Sequence, residues 1–229
     1  MSRKIKIEGM TEIMARRMKE SWETSPRVTY SMSVCVDYLN EFIEKLNKEH
    51  ENEKIKITYN HILMKACALA SKKYELFNSS VEGDEIAIHD SVNIGLAVAT
   101  DSGLLVPNVK NVDELSLEEL CRETGRIIKG AREMKLNYDD ICGGTFTITN
   151  LGMFGIESFT PIINQPEVAI LGVNKVCCRL VKEKGEITEK HYMPLDLVAD
   201  HRIIDGALAA VYLNEIKDCI ENPEKLMSR

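Results

Sequence analysis

Long apolar runs are missing from this chain, and so are an excess of basic charge, paired cysteine spacings, proline-rich linkers and aromatic clusters. Without a run of about 18 apolar residues there is no membrane span to read, and without a charged-then-apolar leader there is no signal peptide. A formal net charge of −7 argues against a general phosphate-backbone binder, because non-specific nucleic-acid affinity needs a basic field. The seven cysteines are odd in number and scattered without metal-ligand spacing, so they read as thiols, mostly buried, in a reducing compartment, with no metal site. Cys177 and Cys178 adjoin on an expected strand and point to opposite faces. Asn78-Ser79-Ser80 fits a glycosylation acceptor formally, but nothing else suggests secretion. Six prolines and no low-complexity segment leave 229 residues without a linker or repeat, so residues 1–229 read as a single domain with a substantial core. At 6% aromatic residues, there is no sign of an aromatic drug pocket.

What is present is a periodic sequence, 44% hydrophobic and 28% charged, in which helical and strand patterns alternate. Met10, Met14, Met18 and Trp22 recur every four residues ahead of Pro26, which predicts a helix from about Thr11 to Thr24 with its methionines in the core. Arg16 and Arg17 on it are either solvated charges or reach a carboxylate near a site. Val28 to Val36 alternate as a strand. Asp37 is expected to cap a helix carrying Leu39, Phe42, Ile43 and Leu46, followed by a solvated charged loop from Glu49 to Lys56. Thr58 caps the next helix, whose buried stripe is Ile62, Leu63, Ala66, Leu69 and Ala70; His61 in its first turn reads as structural. Short β-branched runs between Val81 and Val109 are joined by turns at Glu82-Gly83-Asp84 and Asp101-Ser102-Gly103. Ser116 and Glu119 form a capping box for a long helix that Gly125 and Gly130 weaken toward its end. Strands are expected at Thr145 to Thr149, Val168 to Val181 with a break, and Ile187 to Ala199, with Lys184-Gly185 as a hairpin tip. These elements predict a mixed, largely antiparallel sheet with helices on one side.

One stretch carries chemistry. Met193, Leu195, Leu197 and Ala199 alternate as a strand; Leu208, Val211, Tyr212, Ile216, Cys219 and Ile220 follow a helical period; Asp200-His201-Arg202-Ile203-Ile204-Asp205-Gly206 joins them. His201 therefore lies on a turn, with Asp205 a natural N-cap and Gly206 permitting close backbone approach. Alone, it is equally well a surface histidine before an ordinary cap.

This stretch resembles the Asp-His-Arg-x-x-Asp-Gly signature of the dihydrolipoamide acyltransferases, the catalytic cores of 2-oxo acid dehydrogenase complexes. Gly143-Gly144-Thr145-Phe146-Thr147-Ile148-Thr149-Asn150-Leu151-Gly152, with Pro161 to Asn164 and Pro166 to Gly172, gives a second match. Val92 to Pro107 gives a third, in the family's order. The resemblance implies an α/β two-layer sandwich of the chloramphenicol acetyltransferase type, assembled as a homotrimer with active-site channels along subunit interfaces, alone or within a larger cubic or icosahedral core. It implies partnership with a lipoyl domain and dehydrogenase components, in a bacterial-type cytoplasm or, after processing, a mitochondrial matrix.

Acyl transfer between two thiols needs a base and an oxyanion donor. By resemblance His201 is the general base and Thr149 the hydroxyl donor, although a strand threonine otherwise simply packs. Asp205 is a supporting carboxylate, anchoring the turn through an arginine or backbone amides. Coenzyme A is implied as a substrate, with Asn150 and Thr58 as contributors whose competing role is capping. The lipoyl group comes from another domain or chain. Family members usually carry lipoyl and subunit-binding domains ahead of this one, so the sequence is expected to be a piece of a longer chain or to receive its lipoyl group in trans. Asp205-Gly206-Ala207 looks more like the acetyl and branched-chain members than the succinyl ones. The alternatives are a branched-chain or acetoin-complex member, a small-molecule acetyltransferase of the chloramphenicol type, against which Asp200 before His201 argues, and a scaffold without chemistry, against which His201 and Thr149 argue.

Overall fold

The computed structural model describes residues 2–51, 55–101 and 103–227. Its helices are α1 (Met10–Thr24), α2 (Asp37–Glu49), α3 (Tyr59–Lys73), α4 (Leu117–Arg132), α5 (Tyr138–Ile141) and α6 (Gly206–Glu221). Its strands are β1 (Arg27–Cys35), β2 (Ser79–Glu82), β3 (Glu85–Ile88), β4 (Ile94–Leu96), β5 (Val98–Thr100), β6 (Gly103–Leu105), β7 (Asn108–Val109), β8 (Phe146–Asn150), β9 (Ala169–Val173), β10 (Cys177–Glu183) and β11 (Glu186–Asp200). A seven-stranded sheet runs in the order β1-β11-β9-β8-β4-β7, with β10 pairing to β11. Among the described residues only β8 with β9 and β4 with β8 are parallel, so the sheet is mixed and mostly antiparallel as the sequence predicts.

Alternation along the central strands separates the two faces. Ile148, Leu171, Leu195 and Leu197 are buried in the main core with residues of α2, α3, α4 and α6, which makes the helical layer. Ile170 and Val198 point the other way and meet Ile163 in a small separate cluster, so residues 156–165 act as a strap across that face. α3 is the central helix: from His61 to Ser71 every residue but Leu69 is buried, where the sequence shows only one stripe. Layers on both sides of α3 account for this, since it packs against α6 as well as α4.

Several expectations need correction. Of the seven cysteines only Cys67 and Cys219 are buried, because the others lie at or near element ends or on the outer strand β10. Met10 and Met14 are 48% and 38% exposed and Trp22 is 61% exposed; Ser21 is the one buried residue of α1. The four-residue spacing marks an apolar face correctly, but that face lies open along a cavity it shares with Leu104, Leu105, Val106 and Ile141 and is not part of the core. Val211 on α6 is likewise exposed. Asp37 does not cap α2; its carboxylate instead accepts from the backbone N–H of His191 at 3.1 Å and meets His191 Nδ1 at 2.7 Å, tying α2 to β11. Burial alone would raise this carboxyl, and the bonds from His191 hold it below its usual value. The helix α5 has no counterpart in the periodicity. Asn52 to Lys54 of the expected charged loop, and Ser102 of the second turn, lie outside the described residues.

The local signals otherwise translate into bonds. Ser116 and Glu119 form the reciprocal capping box of α4. Lys184 and Gly185 at the β10-β11 tip have φ of 51° and 95°, the left-handed pair that a two-residue hairpin requires. α4 passes through both glycines, and at Gly130 a Cβ would lie 2.8 Å from Leu136 Cδ2, so that glycine lets the chain fold back over the helix end.

Candidate active site

The turn after β11 is built to hold an imidazole at the surface. The His201 N–H donates to the Pro26 carbonyl at 2.8 Å, pinning the turn to the chain entering β1. On one side of it Asp200, 1% exposed, takes a fork from Arg202, whose Nε lies 3.0 Å from Oδ1 and whose guanidinium reaches Oδ2 at 2.6 Å. On the other side Asp205 Oδ1 accepts from the Leu208 N–H at 2.8 Å and caps α6. Backbone amide, not arginine, is therefore the partner of Asp205. The His201 side chain itself is exposed.

Residues beneath the turn carry no signal in the sequence. Arg27 pairs with Asp200 in the β1-β11 register, stacks on Trp22 at 4.0 Å and donates to the Ser21 carbonyl at 2.8 Å. Burial lowers its guanidinium while Asp200 opposes that shift. Tyr30 lies against Gly206, its hydroxyl buried without a partner among the described residues. Its pKa is raised by burial and secondarily by Asp205. Both lie on β1, some 170 residues earlier in the chain, so no local pattern announces them. Neither Arg16 nor Arg17 makes an ion pair among the described residues, although Arg17 borders a cavity beside Asp200 and Arg202.

Thr149 occupies a different place. It is the next-to-last residue of β8, in a lateral row that continues through Gly172 of β9 and Asp196 of β11 to Ser31 of β1. It borders a cavity of about 610 Å³ walled by Tyr59, Asn60, Leu104, Asn150, Phe154 and Met193, among others. Its hydroxyl makes no hydrogen bond among the described residues. Asn150 beside it is bonded at both ends of its amide: Nδ2 donates to Asn60 Oδ1 at 2.7 Å, and Oδ1 accepts from the Gly152 N–H at 2.9 Å. Thr58 caps α3, its N–H donating to His61 Nδ1 at 3.0 Å, and it is not in the cavity wall. Burial pushes the His61 imidazole down to about 4, a neutral structural histidine as its position suggests.

From Thr149 to His201 the path is two strand spacings across and five residues along β11, about 19 Å at ordinary sheet dimensions. The two side chains do not meet within one chain. A second polar cavity, about 590 Å³, adjoins Ser80, His89, Gly144 and Glu167. Burial pushes the Glu167 carboxyl up to about 8, so it is mainly neutral at pH 7. No group of three or more potential metal ligands occurs among the described residues.

Residues 1–228 match the family model of the 2-oxoacid dehydrogenases acyltransferase (catalytic domain). The acetyltransferase component of the acetoin cleaving system of Bacillus subtilis is 36% identical over 227 residues, 99% of this chain and 57% of that protein. The mitochondrial succinyltransferase component of the 2-oxoglutarate dehydrogenase complex of Saccharomyces cerevisiae is 38% identical, over 98% of this chain and 49% of its own. The chain thus spans about half the length of these curated relatives. Among solved structures, a dihydrolipoamide acetyltransferase from Azotobacter vinelandii superposes with a TM-score of 0.94 at 36% identity, covering 100% of this chain and 95% of that one. That work concerns a serine, a histidine and an asparagine in the catalytic mechanism, spaced 52 and 4 residues apart. A chloramphenicol acetyltransferase, at 14% identity and a TM-score of 0.55 with each chain fully covered, shares the fold.

Proposed function

The chain belongs to the 2-oxoacid dehydrogenase acyltransferase family, in its catalytic domain, and from that premise we propose that it moves an acyl group, acetyl first, between coenzyme A and dihydrolipoamide. The observation that carries this reading is positional. Thr149, His201 and Asp205 repeat the 52- and 4-residue intervals of the serine, histidine and asparagine in the Azotobacter enzyme. Threonine keeps the hydroxyl of serine, and aspartate keeps an oxygen able to cap α6.

His201 acts as general base. The exposed imidazole takes the proton as sulfur attacks the thioester carbonyl. The carbonyl oxygen gains charge in that step and receives the Thr149 hydroxyl, which has no partner among the described residues. The sulfur of the departing thiol then takes the proton back from His201.

A separation of about 19 Å rules out this chemistry inside one chain, and the reading therefore places His201 of one subunit against Thr149 of its neighbour in a homotrimer. The uncovered face of α1, with Met10, Ile13, Met14 and Trp22 exposed, supports such an assembly. So does the likeness to the cubic core of a pyruvate dehydrogenase complex, at a TM-score of 0.94 and 35% identity over 100% of this chain and 95% of that one. The lipoyl group arrives on another domain or chain, together with the dehydrogenase components. Relatives from bacteria and from a mitochondrion support a cytoplasmic or matrix location.

The test is transfer to free dihydrolipoamide from acetyl-coenzyme A and, separately, succinyl-coenzyme A. Acetyl transfer is expected to exceed succinyl transfer by about tenfold or more, the scale on which a small pocket discriminates added bulk. Absence of transfer from either donor would sink the acyltransferase reading; a preference for succinyl would sink the acetyl assignment alone.

A further inference from the structure

Away from the His201 turn, one strand pair sets a nucleophile beside a base. Cys178 of β10 and His191 of β11 are direct partners in the antiparallel register, so their side chains stand on one face of the hairpin. Both backbone groups of His191 are used on the side of β1 and α2: its N–H donates to Asp37 Oδ1 at 3.1 Å, and its carbonyl accepts from the Val36 N–H at 2.9 Å. Toward β10 the pair is therefore of the non-hydrogen-bonded kind, whose side chains approach most closely, with Cβ atoms about 4.5–5.5 Å apart. The imidazole is also oriented. Its Nδ1 meets Asp37 Oδ1 at 2.7 Å, which leaves Nε2 without a partner among the described residues. Cys178 is the one exposed cysteine of the seven, and its thiol makes no hydrogen bond among the described residues. Its neighbours differ. Cys177, on the other face of β10, gives its thiol to the Lys175 carbonyl at 3.5 Å, and Cys35 gives its own to Asp37 Oδ2 at 3.6 Å.

We infer that Cys178 is a modification site for low-molecular-weight disulfides, with His191 as the base that takes its proton and Asp37 as the positioning residue that holds the imidazole. A nucleophile, a base and a carboxylate that orients the base are the parts that thiol chemistry needs. The Cys178 sulfur attacks one sulfur of the disulfide, so that one S–S bond forms as another breaks. The proton passes from the thiol to His191 Nε2 and on to the departing sulfur. Cys178 ends oxidised, as a mixed disulfide, and the other half of the small molecule leaves reduced, as a thiol. The site stands apart from the acyltransferase reading, because His201 lies ten residues further along the chain from His191, about 33 Å at ordinary strand rise.

The test is the rate of glutathione addition at each cysteine when the protein is incubated with oxidised glutathione, quenched with acid and resolved by site in a mass spectrometer. Cys177 is the internal control. It adjoins Cys178 on the same strand but faces away from His191, so the ratio of the two rates cancels any opening of the hairpin and any unfolded fraction. In the wild-type protein Cys178 is expected to react first and well ahead of Cys177. His191→Gln should lower the ratio by about 10²-fold, the low end of what a positioned base contributes. Asp37→Asn keeps an acceptor for Nδ1 but loses the charge, and should lower the ratio by a smaller factor. A wild-type Cys178 that reacts no faster than Cys177 would overturn the site. A ratio unchanged by His191→Gln would overturn the role of the imidazole, and one unchanged by Asp37→Asn the positioning role of the carboxylate.

Discussion

His201→Ala is expected to lower kcat for transfer to dihydrolipoamide by ~10²–10⁴-fold, the usual contribution of a positioned general base. The fold should be untouched. The imidazole is exposed, and the bond that fixes the turn runs from the backbone N–H to the Pro26 carbonyl, which alanine retains. The flanking contacts, Arg202 on Asp200 and the Leu208 N–H on Asp205, do not involve the ring either. Thermal unfolding and circular dichroism should therefore match the wild-type protein while turnover collapses. Turnover close to wild type would remove His201 from the mechanism.

Thr149→Ala should lower kcat by about 10²-fold, the cost typical of losing one oxyanion donor, with little change in KM. The hydroxyl has no partner among the described residues, so its removal breaks no internal bond and leaves no buried group unsatisfied. Thr149→Ser keeps the donor and should retain much of the activity. If alanine and serine behaved alike, the methyl group and not the hydroxyl would be what matters at this position.

The sequence was most informative where structure is local. The strand, turn and helix around His201 emerge from two periodicities that meet at Asp205, and the cap they imply forms at 2.8 Å. The α4 capping box and the Lys184-Gly185 turn are equally local, each fixed by residues within three positions of one another. Burial set by a third layer was not legible. α3 shows one stripe in sequence because periodicity registers only the contrast between faces, and that contrast vanishes where alanine and cysteine complete a helix packed on several sides. The methionine face of α1 is the converse: its spacing identifies an apolar surface but carries no information on what covers it.

The candidate site divides along the same line. His201, Thr149 and Asp205 fall within long family motifs and could be named from residues alone. Asn150 and Thr58 could also be named, but their side chains or backbones prove to be occupied in fixing the start of α3 and the turn after β8. Asp196 could not be found in this way. It is an acidic residue in an alternating strand, and its four donors come from β1, the strap and the turn after β9. Only sheet register brings it into the row of Thr149.

The central claim, that each active site is completed by two subunits, is tested most directly by mixing the His201→Ala and Thr149→Ala proteins after dissociation and reassembly, with subunit exchange verified by differently tagged chains in one particle. A pairing of His201 from one subunit with Thr149 from the next predicts that mixed trimers regain activity, because some interfaces then carry both wild-type residues. Activity that stays at the level of the separate variants at every mixing ratio, with exchange verified, would contradict the account and put both residues to work within a single chain.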